Sequence, residues 1–423
     1  MSLPACAILD TDMRVLIVGA GGREHTLAFC VSKSPHAQKV YVSPGNPGME
    51  DVTTTVTGEM SPPELVELVK KEHIELVVIG PEQPLVGGLA DILRDEGVSV
   101  FGPGREGAKL EGSKAFAKEF MEEFSIPTAK VSFASNLDEA RDIARDWNGL
   151  PVLKADGLAA GKGVFLPDSL EELESVLMDI FVHRKLGSSG ECLLFEERLF
   201  GPEISLFMLR NETGFTYLGS ARDHKRAYEG DLGPNTGGMG TISPAEELSP
   251  EEKVQAQQIM EKTHNGLLSR GIDYRGIIFI GAMRTEDGLK VLEYNVRFGD
   301  PETQSLLPRV DDDILLLLKK TAEGGKLPAG VSYRHGAGVC VCIASEGYPL
   351  KAASAQKVTL LPRDEGVLLF HAGTKKIDGE LMAVGGRVFS LVAFADNVEQ
   401  ARSRVYKNID NIQFAGMWYR KDI

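Results

Sequence analysis

No run of apolar residues in this 423-residue chain approaches the ~20 needed to cross a bilayer, so no membrane partner is expected. Positive charge is also short: 46 Lys and Arg stand against 61 Asp and Glu, a formal net charge of −15. That balance argues against nucleic acid or anionic lipid as the main partner. If the substrates are phosphorylated, positive charge must be gathered locally. Cysteine is scarce as well, with Cys6, Cys30, Cys192, Cys340 and Cys342 only. An odd number without a secretory leader fits reduced thiols and a cytoplasmic location. Cys340 and Cys342 are too close for a metal-binding pair, which usually has at least two residues between its members, and read as buried strand residues. The opening MSLPACAILDTD lacks a basic segment and a long enough apolar core for a signal peptide, so residues 1–12 read as an extension without assigned function. The length suggests about two to four domains, and 43% hydrophobic with 25% charged residues is ordinary for a globular protein.

What is present begins with RVLIV (14–18), which breaks into Gly19-Ala20-Gly21-Gly22-Arg23-Glu24-His25. A buried parallel strand entering a helix through a glycine turn is expected there. Strand-like runs recur at 39–46, 74–82 and 98–104 with helical patterns between them, which predicts a doubly wound parallel sheet ending near residue 113. A dinucleotide fingerprint is incomplete here. Glu24 stands where the third glycine belongs, and Tyr41-Val42-Ser43 lacks the acid that holds a ribose hydroxyl. Free amides of the turn and Arg23 at the helix start still offer a phosphate site. An unliganded tight turn satisfies the same pattern.

Ser113 is an expected N-cap, which puts Lys114 in the first turn of a helix, where lysine opposes the dipole. In PVLKADGLAAGKGVF (151–165), Lys154 lies on a strand before a small-residue turn carrying Gly161, Lys162 and Gly163. The spacing is not that of a mononucleotide P-loop. A hairpin flap over phosphates is the better reading, a plain glycine hairpin the ordinary one. Residues 191–208 give a strand, Glu196-Glu197, a bend at Gly201-Pro202, and Glu203 entering another strand. The stretch 221–244 reads as a long loop holding Asp223, His224, Lys225 and Arg226. Residues 250–270 read as a helix and GIIFIGAM (276–283) as a buried strand.

The most informative stretch is LKVLEYNVRFGDPETQ (289–304). On a strand, Glu293 and Asn295 share a face, with Arg297 beside them if the strand continues. A carboxylate and an amide oxygen are hard ligands suited to Mg²⁺ completed by substrate phosphates, and the arginine fork suits phosphate or carboxylate. A half-exposed edge strand is the alternative. The final unit, from about residue 335, reads as three strands and a helix that close the site with few polar catalytic groups.

Together VGAGGREH, PGN, IGPEQPLV, LEGSKAFAKEF, KADGLAAGKGV, DHKR, GPNTGGMG and EYNVRFGDPETQ resemble the ATP-grasp ligases, and among them the phosphoribosylamine–glycine ligase family. The end of the chain resembles the last domain of biotin-carboxylase-type ligases. The resemblance implies an α/β protein: a nucleotide-like N-domain (13–113), an ATP-grasp core (114–325) with a mobile lid at about 125–195, and a small α+β C-terminal domain (330–423). It implies ATP and Mg²⁺ (or Mn²⁺) as cofactors, glycine and 5-phosphoribosylamine as substrates, and a monomer. Lys114 and Lys154 match the family's phosphate lysines, and the Ala159–Gly163 turn its flap. Glu196, Glu197 and Leu199 match its adenine hinge, and Glu203 the acid on the ATP ribose. Glu293 and Asn295 match the metal ligands and Arg297 the arginine at the transferred phosphoryl group. Where many relatives carry another metal carboxylate, this chain has Met283. Gly21, Gly22, Arg23, Asn46 and Glu82 are candidates for the amine substrate. Asp223, Lys225, Asp300 and Glu302 are candidates for glycine and the amine. Another ATP-grasp ligase or carboxylase, a NAD-dependent oxidoreductase and a catalytically silent ATP-binding regulator are the competing readings.

Overall fold

The computed structural model describes residues 12–55, 58–157, 163–351 and 353–423. The first sheet has five parallel strands in the order Thr54–Thr55, Ala37–Pro44, Met13–Gly19, Leu76–Ile79, Ser99–Phe101. Leu16, Val18, Val77 and Ile79 join one core, while Val15, Ile17, Leu76 and Val78 join another. Both faces are therefore buried, which is why these strands read as unbroken apolar runs. The helix Pro62–Glu72 starts at a Ser61/Glu64 capping box with proline at its first positions, and ends on His73 at φ 53°. Glu82 opens the short helix Glu82–Val86 instead of ending a strand.

A four-stranded unit follows, ordered Val131–Ala134, Leu193–Glu196, Val152–Ala155, Val164–Phe165. Helices Leu137–Asp146 and Leu170–Phe181 cover it around a core of its own that includes Leu153, Leu173, Leu177 and Phe195. Lys154 pairs with Val164 across the expected hairpin, and the Ala155 amide donates to Gly163 O.

The third sheet has eight antiparallel strands: Gly288–Asn295, Gly276–Thr285, Glu203–Asn211, Gly214–Asp223, Gly240–Ser243, Ala337–Ala344, Arg387–Ala395 and Leu368–His371. The C-terminal unit is thus hydrogen-bonded into the central sheet through Gly240–Ser243 and Ala337–Ala344. Cys340 and Cys342 lie on one face of their strand with Phe370 and Val392, as buried strand residues. The stretch 221–244 is not a plain loop: it holds a small hairpin, Arg226–Tyr228 with Leu232–Asn235, and then the sheet strand Gly240–Ser243. The turn is made possible by Gly230 and Gly233 at φ 67° and 81°, a region L side chains rarely adopt. Among the described residues no helix is long and apolar enough to cross a membrane.

Candidate active site

The Gly288–Asn295 strand lies at the sheet edge, and the 127–128 segment covers it through Val291 N to Pro127 O at 2.7 Å. A bulge opposite Gly281 and Ala282 falls between Val291 and Glu293, and the strand ends at Asn295. Arg297 therefore sits in the bend beyond, still facing the cluster. Glu293 stands opposite Gly281, and a Cβ added there would lie 3.2 Å from its Cγ.

Three lysines converge on this carboxylate. Lys225 Nζ is 3.9 Å from Glu293 Oε1 and 2.6 Å from Glu203 Oε2. Lys154 Nζ donates to Leu292 O at 3.3 Å, and Lys114 Nζ to Gly157 O at 2.8 Å. Burial alone would raise the Glu293 pKa, yet Lys225, Lys154, Lys114 and Arg297 pull it below the ordinary value. Burial likewise pushes the Lys114 ammonium down, against support from Glu293 and Asp156. The Lys225 ammonium, whose pKa burial would lower, is raised by Glu203, Glu293 and Asp223. Ser113 caps the helix as expected, accepting from Phe116 N at 3.1 Å.

Lys154 also ion-pairs with Glu196 at 3.0 Å, and so does Lys118, likewise at 3.0 Å. Glu196 thus turns inward toward lysines. Glu197 meets the backbone of Lys130 at the end of the pairing between Val131–Ala134 and Leu193–Glu196, with Glu197 N donating to Lys130 O at 2.9 Å and Lys130 N to Glu197 Oε2 at 3.3 Å. Leu199 is half-buried just beyond it, and Gly161 and Lys162 lie outside the described residues. Glu203 is the register partner of Met283, so a carboxylate does stand beside that position, on the neighbouring strand.

Arg297 reaches Glu111 at 3.3 Å and Glu82 at 3.5 Å. Glu111 also accepts from Val296 N at 2.7 Å. Its pKa is raised by burial, against the pull of Arg297. On the far side, Asp223 and Glu302 form a buried carboxyl pair whose pKa values are raised by burial, Asp223's further by the charge of Glu302. Asp223 Oδ1 is buried without a hydrogen-bond partner. Asp300 accepts from Gln304 Nε2 at 2.7 Å and lies 3.3 Å from Arg387 Nη2.

The glycine turn differs from expectation. The Gly21 amide is not free: it donates to Glu24 Oε2 at 2.7 Å. Glu24 is 2% exposed, and a Cβ at Gly19 or Gly80 would lie 2.5 or 2.0 Å from its side chain. A buried carboxylate therefore fills the turn where a dinucleotide's pyrophosphate would sit, which removes the NAD reading. Arg23 pairs with Glu24 at 2.5 Å and donates to Phe298 O at 3.1 Å, so it ties the turn to the 297–304 loop. Gly22 lies against Gln304, whose Nε2 would be 2.7 Å from an added Cβ. Asn46 has its amide fully used, donating to Ala20 O and His371 O and accepting from Gly48 N.

Three residues were not anticipated from the sequence: Glu111, Lys118 and Arg387. Lys118 is 3% exposed on a helix face that otherwise reads as core. Glu111 directly precedes the Gly112-Ser113-Lys114 step, and Arg387 opens a strand that is apolar but for Ser390. Those two positions are the signals by which they were detectable.

Oxygen donors on this edge strand, lysines converging on them from a helix, the four-stranded unit and the 224–225 bend, and an arginine just beyond define a class, the ATP-grasp ligases. The fold alone is shared with the biotin carboxylase domain of the Hydrogenobacter thermophilus 2-oxoglutarate carboxylase, at 18% identity and TM-score 0.76 over 96% of this chain and 91% of that one. Family models of phosphoribosylglycinamide synthetase match in succession: the N domain over residues 13–111, the ATP-grasp (A) domain over 112–303 and the C domain over 338–423. The phosphoribosylamine–glycine ligase of Brucella melitensis is 41% identical, with 97% of each chain covered. The crystal structure of that ligase from Thermotoga maritima matches with TM-score 0.86 at 34% identity, over 97% of this chain and 100% of that one. The chain belongs to the phosphoribosylamine–glycine ligase family.

Proposed function

We propose that the chain joins glycine to 5-phosphoribosylamine at the expense of ATP, through glycyl phosphate, to give glycinamide ribonucleotide, ADP and phosphate in purine biosynthesis. The observation that carries this reading is the convergence of Lys114, Lys154, Lys225 and Arg297 on one half-buried carboxylate, Glu293. Such a cluster suits a polyphosphate and a divalent cation better than it suits a neutral ligand.

In this reading Lys114 and Lys154 bind the ATP phosphates; the Ala159–Gly163 flap assigned to the same phosphates lies, but for Gly163, outside the described residues. Glu196, Glu197 and Leu199 flank the adenine, and Glu203 meets the ribose. The unit around residues 125–195 acts as the lid, a role in keeping with its separate core. Glu293 and Asn295 would hold the metal. Among the described residues no group of three or more His, Cys, Asp or Glu side chains forms a metal cluster, so much of the coordination falls to phosphate oxygens and water. The fit is chemical: Glu293 is kept charged, and the buried Asn295 Nδ2 has no partner, which leaves its amide free to turn oxygen toward a cation. A bound Mg²⁺ or Mn²⁺ would supply neutralisation of charge on the phosphates.

A glycine carboxylate oxygen attacks the terminal phosphorus of ATP and ADP leaves. Arg297, oriented by Glu111 and Glu82, stabilises the charge on the transferred group. The amine nitrogen of phosphoribosylamine then attacks the glycyl carbon. The C–O bond to phosphate breaks and the nitrogen loses a proton. Asp223 and Lys225 are the groups placed in catalytic roles by this reading, and Gly21, Gly22, Arg23, Asn46, Glu82, Asp300 and Glu302 form the surroundings of the substrates. Asn46 contributes through the backbone it holds. The work belongs to a reducing, cytoplasmic setting, in keeping with the buried free thiols of Cys30, Cys340 and Cys342. The test is ADP release from ATP and Mg²⁺, with phosphoribosylamine generated from ribose 5-phosphate and ammonia. ADP formation that requires both glycine and the amine is expected. ATP binding without such turnover would overturn the proposal.

A further inference from the structure

Arg387, from the C-terminal unit, is the meeting point of two loops that are far apart in the chain. Its Nη1 donates to Gly238 O at 3.0 Å, to Gly237 O at 2.5 Å and to Asp300 O at 2.7 Å, while Nη2 lies 3.3 Å from Asp300 Oδ2. A second residue of the same unit supports the first loop, because Gly237 N donates to Tyr348 Oη at 3.0 Å. Gly238 sits at φ 108°, and a Cβ there would lie 2.5 Å from Pro301 Cδ and 2.6 Å from Asp223 Oδ1. The two loops are therefore packed directly against each other, with no room for a side chain between them.

The Asp300 carboxylate emerges from this junction beside the glycine turn. Its Oδ2 would be 3.4 Å from a Cβ added to Gly21, and Gln304 Nε2 fixes its other oxygen at 2.7 Å. We propose that Arg387 is a positioning residue: it holds Asp300 between the Gly237–Gly238 loop and the Gly21 turn, so that the carboxylate receives an N–H of the amine substrate. This deepens the ligase reading above and rests on it. An amine nucleophile needs a fixed acceptor to orient its lone pair toward the acyl carbon, and Asp300 is such an acceptor. Burial would raise its pKa, but Arg387 and then Arg23 keep it below the ordinary carboxylate value, so it stays an acceptor at neutral pH. The glycine ammonium has the same N–H chemistry. Asp300 is assigned to phosphoribosylamine because it adjoins the N-terminal sheet, while the lysine cluster that meets ATP gathers around Glu293.

The test is a double-mutant cycle on full-length enzyme with Arg387→Met, Asp300→Asn and their combination, plus Arg387→Lys. Each variant is compared with wild type for kcat/KM toward phosphoribosylamine and KM for glycine and ATP. Arg387→Met is expected to lower kcat/KM for the amine by ~100-fold, the scale of a misplaced reacting group, with the KM values for ATP and glycine within about threefold of wild type. Arg387→Lys should recover part of the loss, and the double variant should be no worse than the poorer single one. If Arg387→Met fails to fold, the cycle is run with Arg387→Lys. Multiplicative losses, or a loss confined to glycine or ATP, would overturn the proposal. Absence of amine-dependent ADP release in the wild type would instead overturn the ligase reading itself.

Discussion

Replacing Glu196 by glutamine tests the charge balance under the phosphate lysines. Glu196 is 2% exposed and sits 3.0 Å from both Lys118 and Lys154, whose side chains are 2% and 12% exposed. Glutamine keeps the shape and removes the charge, leaving two buried ammonium groups on one spot. Lys118 retains Thr128 Oγ1 at 2.8 Å, and Lys154 retains Leu292 O at 3.3 Å. Removing one partner of a buried ion pair costs about 3–5 kcal/mol, because the remaining charge stays desolvated. The loss falls on the four-stranded unit, since Glu196 ends its Leu193–Glu196 strand. Trp147 packs on Phe195 there, with ring centroids 6.2 Å apart, so its fluorescence reports on this unit alone once Trp418 is replaced by Phe. A local probe is needed because a chain of several units need not unfold in two states. With a urea slope of about 1.5 kcal/mol/M, the midpoint should fall by ~2–3 M. Adding Lys118→Met should return part of that loss, since Lys154 alone then lacks its carboxylate partner. A midpoint within about 0.5 M of the parent would refute the claim that Glu196 holds the two lysines together.

Arg297→Ala should lower kcat by roughly 10²–10³-fold while KM for ATP changes little, as for a group that meets charge developing in the transition state; steady-state kinetics would show it, and equal small effects on both would remove its role. Glu293→Ala should raise the Mg²⁺ concentration for half-maximal activity by about tenfold or more, read from a metal titration, and an unchanged requirement would take it out of the metal site. His25 and His371 are buried against each other, with His371 N donating to His25 Nδ1 at 2.9 Å. Burial lowers their pKa values from 6.5 to about 3 and about 4. The unfolded chain then binds more protons than the folded one as pH falls below 6.5, so stability is full above that value and declines toward pH 4. Between pH 8 and pH 5 the loss is on the order of 2 kcal/mol per histidine, measured by denaturant midpoints, and His371→Phe should flatten the slope.

Much of the fold was legible because its signals are local. The RVLIV run, the Ser113 cap and the Lys154 hairpin all depend on residues within a few positions of one another. The edge strand with Glu293 and Asn295 was legible for the same reason, through period two. The continuity of the eight-stranded sheet was not, because Gly240–Ser243 and Ala337–Ala344 are nearly a hundred residues apart and neither segment encodes its partner. Glu111 and Arg387 escaped for that reason too: Glu111 matters through Arg297, and Arg387 through Asp300. The free amides expected at the Gly21 turn were a different kind of miss. Glu24 was recognised there as the residue that breaks the dinucleotide pattern, but only the structure reveals its side chain folding back onto Gly21 N.

The central claim is that a glycine carboxylate oxygen attacks the terminal phosphorus of ATP. Glycine labelled with ¹⁸O in its carboxylate, turned over with ATP and phosphoribosylamine, tests this directly. The account predicts one ¹⁸O atom in each inorganic phosphate released, because the attacking oxygen leaves with phosphorus when the amine takes its place. Unlabelled phosphate alongside labelled amide product would contradict it.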